Sequence, residues 1–365
     1  MPTRRSLLAA GASLPFVAGC RTRLAGAARQ EDATPWPTAG WATADPLAVG
    51  IDPAALEAVA ERVPFETPDL SEIVVVRNGR LAWERSFGGH DQADPINVRS
   101  ITKSVTGLLT GIAIGEGALS GVDQTIGETI PDRIPEGADP RIAGITVGQL
   151  LTMSSGIDWP SSGDWPTLIE SRNWVANVLG RPVVGMPGQT YVYNTGGSHV
   201  LGVMVAAAVG EPLERYAERV LFAPLGIARG DWERSPQREV NGGSGLALTA
   251  RDAAKLGLLA LRSGRWEDAQ IVPADFVQAA TSWQLQGDGT GGWEGYGYQW
   301  WVTQTWAGYA AFFGLGYGGQ HLFGVPALDL VVAALVEARV APEELRSPRP
   351  LIESIAAATV PGPVG

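Results

Sequence analysis

The stretch SITKSVT, at residues 100–106, decides how the rest of the chain is interpreted. Its Lys103 is one of only two lysines among 27 basic residues, so arginine is used nearly everywhere else. Arginine stays protonated in proteins, whereas a buried lysine can lose its proton and act as a base. Ser100 and Lys103 are three residues apart and share one face of a helix. The pair therefore has the spacing of an activated nucleophile, with the lysine nitrogen within reach of the serine hydroxyl.

The surroundings of this pair predict a site at the start of a helix. A hairpin is predicted before it, because Asn78-Gly79 separates two apolar runs. A long buried helix is predicted to follow from Ser100, and its N-terminus offers free N–H groups and a positive dipole end. These features suit a developing oxyanion. The alternative is a lysine that snorkels from a helix flank, and short motifs of this kind also arise by chance.

Two further segments carry candidate site residues. Tyr193 lies in a loop before a helix predicted from Ser198, and its hydroxyl could relay protons. A buried aromatic ring with a satisfied hydroxyl is the commoner interpretation of such a residue. The run GLGYGG, residues 314–319, enters an apolar strand. Glycine in a strand marks close backbone approach, which would let a substrate carbonyl lie along that edge. A flexible hairpin turn explains the run equally well.

Composition and missing motifs exclude several classes of function. The net charge is −11 and the pI is about 4.9, which argues against nucleic-acid binding. The three histidines are scattered without ligand spacing, so no zinc site is predicted. Neither a Gly-x-Ser-x-Gly elbow nor a phosphate-binding Gly-rich loop occurs. We expect no metal and no cofactor. Lys255, the other lysine, is interpreted as a helix surface residue.

The first 20 residues have the pattern of a targeting segment. Arg4-Arg5 precede an apolar run over 7–17, as in a twin-arginine signal. The run ends at VAGC, residues 17–20, which is similar to a lipobox, and Cys20 is the only cysteine. We predict an exported, cell-envelope protein (periplasmic or extracytoplasmic) that contacts the membrane through this lipid anchor only. A chance cysteine beside an ordinary cleavage site is the alternative. Residues 21–43 are interpreted as a linker.

The remaining chain, residues 44–365, predicts one α/β (α+β) domain. Strand patterns occupy both of its ends, and the middle is mostly helical. These patterns indicate one antiparallel sheet built from both chain ends and flanked by helices, with an inserted helical part. The α/β part is assigned to 44–100 and 275–365, and the helical part to 101–274. Strands are predicted at 296–303, 321–325 and 330–334, and helices at 147–153, 198–209, 250–261 and 349–358.

Taken together, these elements resemble the serine β-lactamase and penicillin-binding-protein superfamily. The similarity is closest to its class C-like esterase and 6-aminohexanoate-oligomer hydrolase branch. It covers about residues 44–360, in the order that the family has. The stretch 100–106 looks like the nucleophile helix of that branch, and LLTMSSGI at 150–157 is similar to its LLTxxSG segment. Residues 245–252 and 316–320 also look like family signatures.

The resemblance implies roles for individual residues. Tyr193 matches the catalytic tyrosine that accompanies Ser100 and Lys103. The third family motif would begin at Gly314, with Gly316 as its glycine, which places both beside the substrate. The backbone N–H groups of Ser100 and Tyr317 would then form the oxyanion hole.

Two positions depart from the family pattern. The family often has Asn two residues after the tyrosine, where this chain has Thr195. The neighbouring Asn194 is the substitute candidate for substrate binding, although it would point elsewhere. The third motif usually begins with Lys, His or Trp, and Gly314 supplies no cation. This change argues against recognition of a β-lactam carboxylate and leaves ester or amide hydrolysis intact.

The predicted function is therefore that of a serine hydrolase. It would cleave a small-molecule ester or amide through an acyl-enzyme on Ser100. One alternative is a β-lactamase or D,D-peptidase. The other is a cell-envelope binding or sensor protein on the same fold that does not turn substrate over.

Overall fold

The computed structural model describes residues 36–160, 164–228, 230–287, 295–337 and 346–360. The predicted targeting segment with Cys20, and most of the predicted linker, lie outside these residues. Within the described ranges, no helix combines the length and the apolar character needed to cross a membrane.

Twelve β-strands occur in the described part of the chain, numbered in chain order: β1 Leu70–Arg77, β2 Arg80–Ser86, β3 Ile96–Asn97, β4 Ala247–Leu248, β5 Arg265–Trp266, β6 Ala269–Gln270, β7 Leu285–Gln286, β8 Gly295–Tyr296, β9 Trp301–Trp306, β10 Tyr309–Gly316, β11 Gln320–Val325 and β12 Leu330–Val336. Eight of them form one sheet in the order β2-β1-β12-β11-β10-β9-β8-β7. All its pairs are antiparallel. The prediction of a sheet built from both chain ends is confirmed.

Helices fill the region between the two groups of strands and flank the sheet. In the same described residues they are α1 Pro53–Glu66, α2 Ile101–Gly115, α3 Ile126–Thr129, α4 Val147–Leu151, α5 Asp164–Ile169, α6 Trp174–Leu179, α7 Thr195–Val209, α8 Leu213–Ala217, α9 Ala223–Leu225, α10 Ala250–Leu261, α11 Ala274–Ala280 and α12 Arg349–Ala357. The predicted helices agree with these bounds to within three residues at most ends.

The hairpin β1–β2 shows how the sequence sets the sheet. Asn78 and Gly79 have φ values of 52° and 71°, the left-handed values that a two-residue hairpin loop needs. Side chains then alternate along β1. Val74 and Val76 belong to one hydrophobic core, while Ile73 and Val75 belong to the other. The sheet therefore separates two cores.

Different helices cover the two faces of the sheet. The terminal helices α1 and α12 pack together over the face that carries Ile73 and Val75. Helix α1 begins with a cap in which Asp52 Oδ1 accepts the Ala54 N–H at 2.9 Å. On the other face, α10 packs against β12, β11 and β1, and α2 packs against β10. Helix α2 is buried over almost its whole length between the sheet and α7.

Two local predictions were wrong. The strand predicted at 296–303 is interrupted, because β8 ends at Tyr296 and β9 begins at Trp301. Between them the chain turns through Gln299, which has a φ of 62°. The other error is Lys255, which is only 6 % exposed. Its Nζ donates to the carbonyl of Gly226 at 2.6 Å, and this partner is the C-cap residue of α9, 29 residues away in sequence.

Candidate active site

The nucleophile candidate stands where the chain turns from β3 into α2. Asn97 Oδ1 accepts the Arg99 N–H at 2.9 Å, and Arg99 has a φ of 52°. This left-handed residue directs the chain sharply into the helix. Ser100 is the N-cap residue of α2, but its side chain makes no capping hydrogen bond. Its hydroxyl is therefore left for another partner.

That partner is Lys103, one helical turn further along α2. Lys103 Nζ donates to Ser100 Oγ at 2.9 Å and to the Gly243 carbonyl at 2.6 Å. The residue is 1 % exposed, and its burial lowers the pKa to about 7, because desolvation disfavours the ammonium form. At neutral pH a large fraction of Lys103 is uncharged. It can then accept a proton from the hydroxyl that it touches.

Tyr193 lies against the same two residues. It stands just before Asn194, the N-cap of α7, and its hydroxyl makes a side-chain hydrogen bond with Ser100. Lys103 Nζ is 4.8 Å from the centre of the Tyr193 ring. Burial raises the pKa of Tyr193 to about 12, more than the contact with Ser100 lowers it. The phenol therefore keeps its proton at neutral pH, which makes it a proton donor.

Trp301 supports the ring of Tyr193. The two rings are stacked with centroids 5.8 Å apart and planes inclined by 19°. Trp301 comes from β9 and is buried, with Tyr191 and Tyr296 packed around it. The tyrosine is thus held by the sheet as well as by its own loop.

Sequence analysis did not identify the loop whose carbonyl accepts the second hydrogen bond of Lys103. It is the stretch NGGSG at residues 241–245. Asn241 Oδ1 accepts the Gly243 N–H at 3.0 Å, and Thr106 Oγ1 donates to the Gly242 carbonyl at 2.7 Å. A Cβ atom at Gly243 would lie 2.4 Å from the carbonyl oxygen of Thr195. Two adjacent glycines just before a strand were the only available signal.

Asn194 and Thr195, the two residues that follow Tyr193, each make contacts that fix their positions. Asn194 is buried, and its Oδ1 accepts the Gly197 N–H at 2.7 Å as the cap of α7. Its Nδ2 has no hydrogen-bond partner among the described residues. Thr195 packs against Gly243. Thr195 therefore lies beside the glycine whose carbonyl accepts a hydrogen bond from Lys103 Nζ.

The end of β10 lies directly against the start of α2. A Cβ atom at Gly314 would be 3.2 Å from Ser104 Oγ and 3.3 Å from Ile101 Cγ1. One at Gly316 would be 2.5 Å from the Val98 carbonyl oxygen. These contacts require small residues, so the glycine run does mark a close approach.

The same run also makes a hairpin turn. Gly318 and Gly319 have φ values of 88° and 97° and connect β10 to β11. Tyr317 precedes them with an exposed side chain. The structure thus brings Ser100, Lys103 and Tyr193 together and places the strand end beside them. Within the described residues there is no group of three or more His, Cys, Asp or Glu side chains that could hold a metal ion.

Comparison with known families gives one match that spans most of the chain. The family model described as Beta-lactamase matches residues 71–357. This range includes every candidate site residue except Cys20. No curated protein matches the sequence.

Solved structures share the fold at low sequence identity. A Bacillus anthracis protein provisionally assigned as a 6-aminohexanoate-dimer hydrolase superposes with a TM-score of 0.66 and 21% identity, over 82% of this chain and 79% of that one. EstCE1, a hydrolase with promiscuous acyltransferase activity, gives a TM-score of 0.69 and 19% identity over 84% and 98%. A D-stereospecific amidohydrolase from Streptomyces sp. gives 0.68 and 17% over 85% and 100%. At these identities the likeness shows the fold.

Proposed function

The chain belongs to the beta-lactamase family, and from this premise we propose that it is a serine hydrolase that cleaves small esters or amides through an acyl-enzyme on Ser100. One observation carries the proposal. A buried lysine, with a pKa lowered to about 7, donates a 2.9 Å hydrogen bond to a serine hydroxyl at a helix N-terminus. A nucleophile needs an adjacent base of this kind to react near neutral pH.

Acylation begins with a proton transfer. Neutral Lys103 accepts the proton of Ser100 as Oγ forms its bond to the substrate carbonyl carbon. The carbonyl oxygen becomes an oxyanion, which we expect the backbone N–H groups of Ser100 and Tyr317 to stabilise. Each such donor is typically worth about 3–4 kcal/mol in the transition state. The Ser100 contribution would come from its own backbone N–H, at the N-cap of α2.

Collapse of the tetrahedral intermediate breaks the bond to the leaving group. Tyr193, which keeps its proton at neutral pH, donates it to the departing oxygen or nitrogen. The proton that Lys103 took from Ser100 then restores the phenol. Water attacks the acyl-enzyme with Lys103 again as the base, and the acid product leaves Ser100 with its proton back in place.

We infer the substrate class from Gly314. This position, which could carry a cation, has no side chain, so the residue itself offers no partner for the carboxylate of a penicillin or cephalosporin. A missing charge-assisted hydrogen bond costs about 1.5–3 kcal/mol. Neutral esters and amides need no such anchor. We therefore place this enzyme among the esterases and amidases of the family rather than among its β-lactamases.

The direct test combines active-site labelling with turnover. A fluorophosphonate probe should label the protein on Ser100, and p-nitrophenyl butyrate should be hydrolysed far faster than nitrocefin. Ser100→Ala should abolish both labelling and turnover, while the control Ser354→Ala, on the outer helix α12, should retain them. Residual turnover of more than a few per cent in Ser100→Ala would exclude Ser100 as the nucleophile. Labelling without turnover in the parent would favour a binding or sensor protein, and equal rates on both substrates would indicate a β-lactamase.

A further inference from the structure

Gln299 has an unusual conformation for its residue type. It lies in the turn that interrupts the predicted strand between β8 and β9, it is 2 % exposed, and its φ is 62°. A left-handed φ is uncommon outside glycine, and it persists only where the surrounding structure holds it in place. A long polar side chain in the interior also needs partners for each of its polar atoms. Both requirements point to a specific set of contacts.

Gln299 makes five hydrogen bonds to three helical segments. Its Nε2 donates to the carbonyls of Leu150 and Leu151, at 2.9 and 3.1 Å, and its backbone N–H also donates to Leu151, at 3.0 Å. Its Oε1 accepts the hydroxyl of Ser198 at 2.8 Å. Its backbone carbonyl accepts the hydroxyl of Ser104 at 2.9 Å. One residue of the sheet is thereby tied to α2, to the end of α4 and to the first turns of α7.

Two of these connections lead to Tyr193. Residues 150–151 end α4 and are followed by Met153, which has a φ of 58°. The Met153 carbonyl accepts the Val192 N–H at 2.8 Å, and its Sδ accepts the Asn194 N–H at 3.3 Å. Both neighbours of Tyr193 are therefore fixed by the segment that Gln299 holds.

Ser198, on α7, links Gln299 to the residue that follows Tyr193. Besides its bond to Gln299 Oε1, Ser198 lies close to the Asn194 carbonyl, with its backbone N 3.3 Å from that oxygen. The start of α7, which directly follows Tyr193, is therefore held from the side of the sheet.

The remaining connection leads to Lys103. Ser104 is the next residue along α2, so its hydrogen bond to Gln299 fixes the turn of helix that carries the base. Gly107, one turn later, makes this approach possible. A Cβ atom there would lie 3.0 Å from the Tyr298 carbonyl oxygen and 3.1 Å from Gln299 Cβ. The helix and the turn are thus in direct contact.

From these contacts we propose that Gln299 is a positioning residue that sets Tyr193 against Lys103, and this inference rests on the proposed serine hydrolase function. In the proposed acylation, the proton passes from Lys103 to Tyr193. Reacting groups displaced by about 1 Å can lose about 100-fold in rate, even when the displaced support is remote from the chemistry. Gln299 touches neither Ser100 nor substrate, and it acts through Met153, Ser198 and Ser104.

Gln299→Gly is the informative variant. Glycine adopts a positive φ without strain, and both backbone hydrogen bonds of residue 299 remain possible. Only the side-chain bonds to Leu150, Leu151 and Ser198 are lost. We expect kcat for p-nitrophenyl butyrate to fall about 10- to 100-fold, with KM changed less than about threefold. The matched control is Gln270→Gly, which also removes an amide that donates to two carbonyls, those of Ser263 and Val272. That variant should keep its kcat.

A second measurement is independent of turnover. Because the chain has two lysines, lysine labelled with ¹³C at Cε gives two resonances. The Lys103→Arg variant, which retains only Lys255, assigns them. In the parent, Lys103 should titrate near pH 7. In Gln299→Gly its titration should move upward by about one pH unit, because a displaced Tyr193 ring, which lies 4.8 Å from Lys103 Nζ, lets water reach the amine and favour the ammonium form. A purely structural glutamine would not move this titration.

If Gln299→Gly does not fold, Ser198→Ala tests the same proposal. It removes one bond to Gln299 and should lower kcat about 3- to 10-fold, with the Lys103 titration moving in the same direction. If the Lys103 titration is unchanged and kcat stays within twofold of the parent in whichever of these variants folds, the proposal is overturned. Failure of the proposed function looks different, since the parent itself would then show neither Ser100 labelling nor turnover.

Discussion

The proposed chemistry of the candidate site depends on Lys103 as its base. Lys103 is buried in a protein whose other cations, apart from Lys255, are arginines. An arginine at this position would keep its charge and its hydrogen-bond donors but could not become neutral. On the proposed mechanism this position needs a base rather than a positive charge, and lysine can supply one.

Lys103→Arg should therefore be nearly as damaging as Lys103→Ala. We expect kcat for p-nitrophenyl butyrate to fall by about 10² to 10⁴ in both variants, the usual contribution of a general base. Lys255→Arg is the control, since Lys255 bonds to Gly226 away from Ser100. A near-normal rate in Lys103→Arg would show that the residue supplies only a positive charge.

The pH dependence of the parent follows from the same residue. The pKa of Lys103 is lowered to about 7, and only its neutral form accepts a proton. Activity should therefore be low at acidic pH and rise through about pH 7. Tyr193 is needed in its protonated form, and its pKa is raised to about 12, so no fall is expected up to about pH 9. A profile of kcat/KM from pH 5 to 9 measures this, and an acidic limb centred near pH 4 to 5 would implicate a carboxylate instead.

At the level of helices and strands, the sequence predicts those features that residues close together in the chain determine. Asn78-Gly79 indicated the first hairpin, and the positions of Ser100 and Lys103 on α2 followed from the helical repeat. The turn at Gln299 could not be predicted, because its unusual φ depends on partners more than 100 residues away in sequence. Lys255 was misjudged for a similar reason, because the carbonyl that accepts its hydrogen bond belongs to the C-cap residue of another helix, α9. Contacts between elements, rather than propensity within them, decide such positions.

The contact of Lys103 with the Gly243 loop gives a test at this scale. The Gly243→Ala variant would place a Cβ atom 2.4 Å from the Thr195 carbonyl oxygen, so the loop must shift and move the carbonyl that Lys103 contacts. We expect kcat to fall about 10- to 100-fold and stability to fall by about 1–3 kcal/mol.

Gly144→Ala is the matched control for that variant, because a Cβ atom there meets nothing within 4 Å. It should change kcat and the free energy of unfolding very little. Ester turnover and urea unfolding measure the two effects. If Gly243→Ala keeps the parental kcat, the loop tolerates the added methyl group and does not position Lys103.

At the scale of the whole molecule, the sheet buries a carboxylate that has no hydrogen-bond partner among the described residues. Glu72, on β1, is fully buried, and neither of its carboxylate oxygens has a hydrogen-bond partner among the described residues. His90 Nε2 is 3.9 Å from Oε2. Glu84 repels the charge, and Arg251, which pairs with Glu84, offsets only part of the cost. Burial is the largest effect and raises the pKa of Glu72 to about 7.

This raised pKa makes the stability of the fold depend on pH. In the unfolded chain Glu72 ionises near its ordinary pKa of about 4.5, whereas in the fold it holds its proton until about pH 7. Between these values the folded protein binds more protons than the unfolded chain, so stability falls as pH rises from about 4.5 to 7. Glu72→Gln removes the ionisable group. At pH 8 the variant should be more stable than the parent by about 1–3 kcal/mol, and at pH 4 the two should agree within about 1 kcal/mol.

Urea unfolding at pH 4, 6 and 8 separates this explanation from its rival. The rival is that the contact with the imidazole of His90, 3.9 Å away, rather than burial of the carboxylate, sets the effect of Glu72 on stability. His90→Asn in both backgrounds decides between them, since the gain from Glu72→Gln at pH 8 should persist without the imidazole. A gain that disappears with His90, or one that is the same at all three pH values, would show that Glu72 is not the source of the pH dependence. The residue lies on the sheet and outside the catalytic group, so Glu72→Gln should leave the kcat of the folded enzyme unchanged.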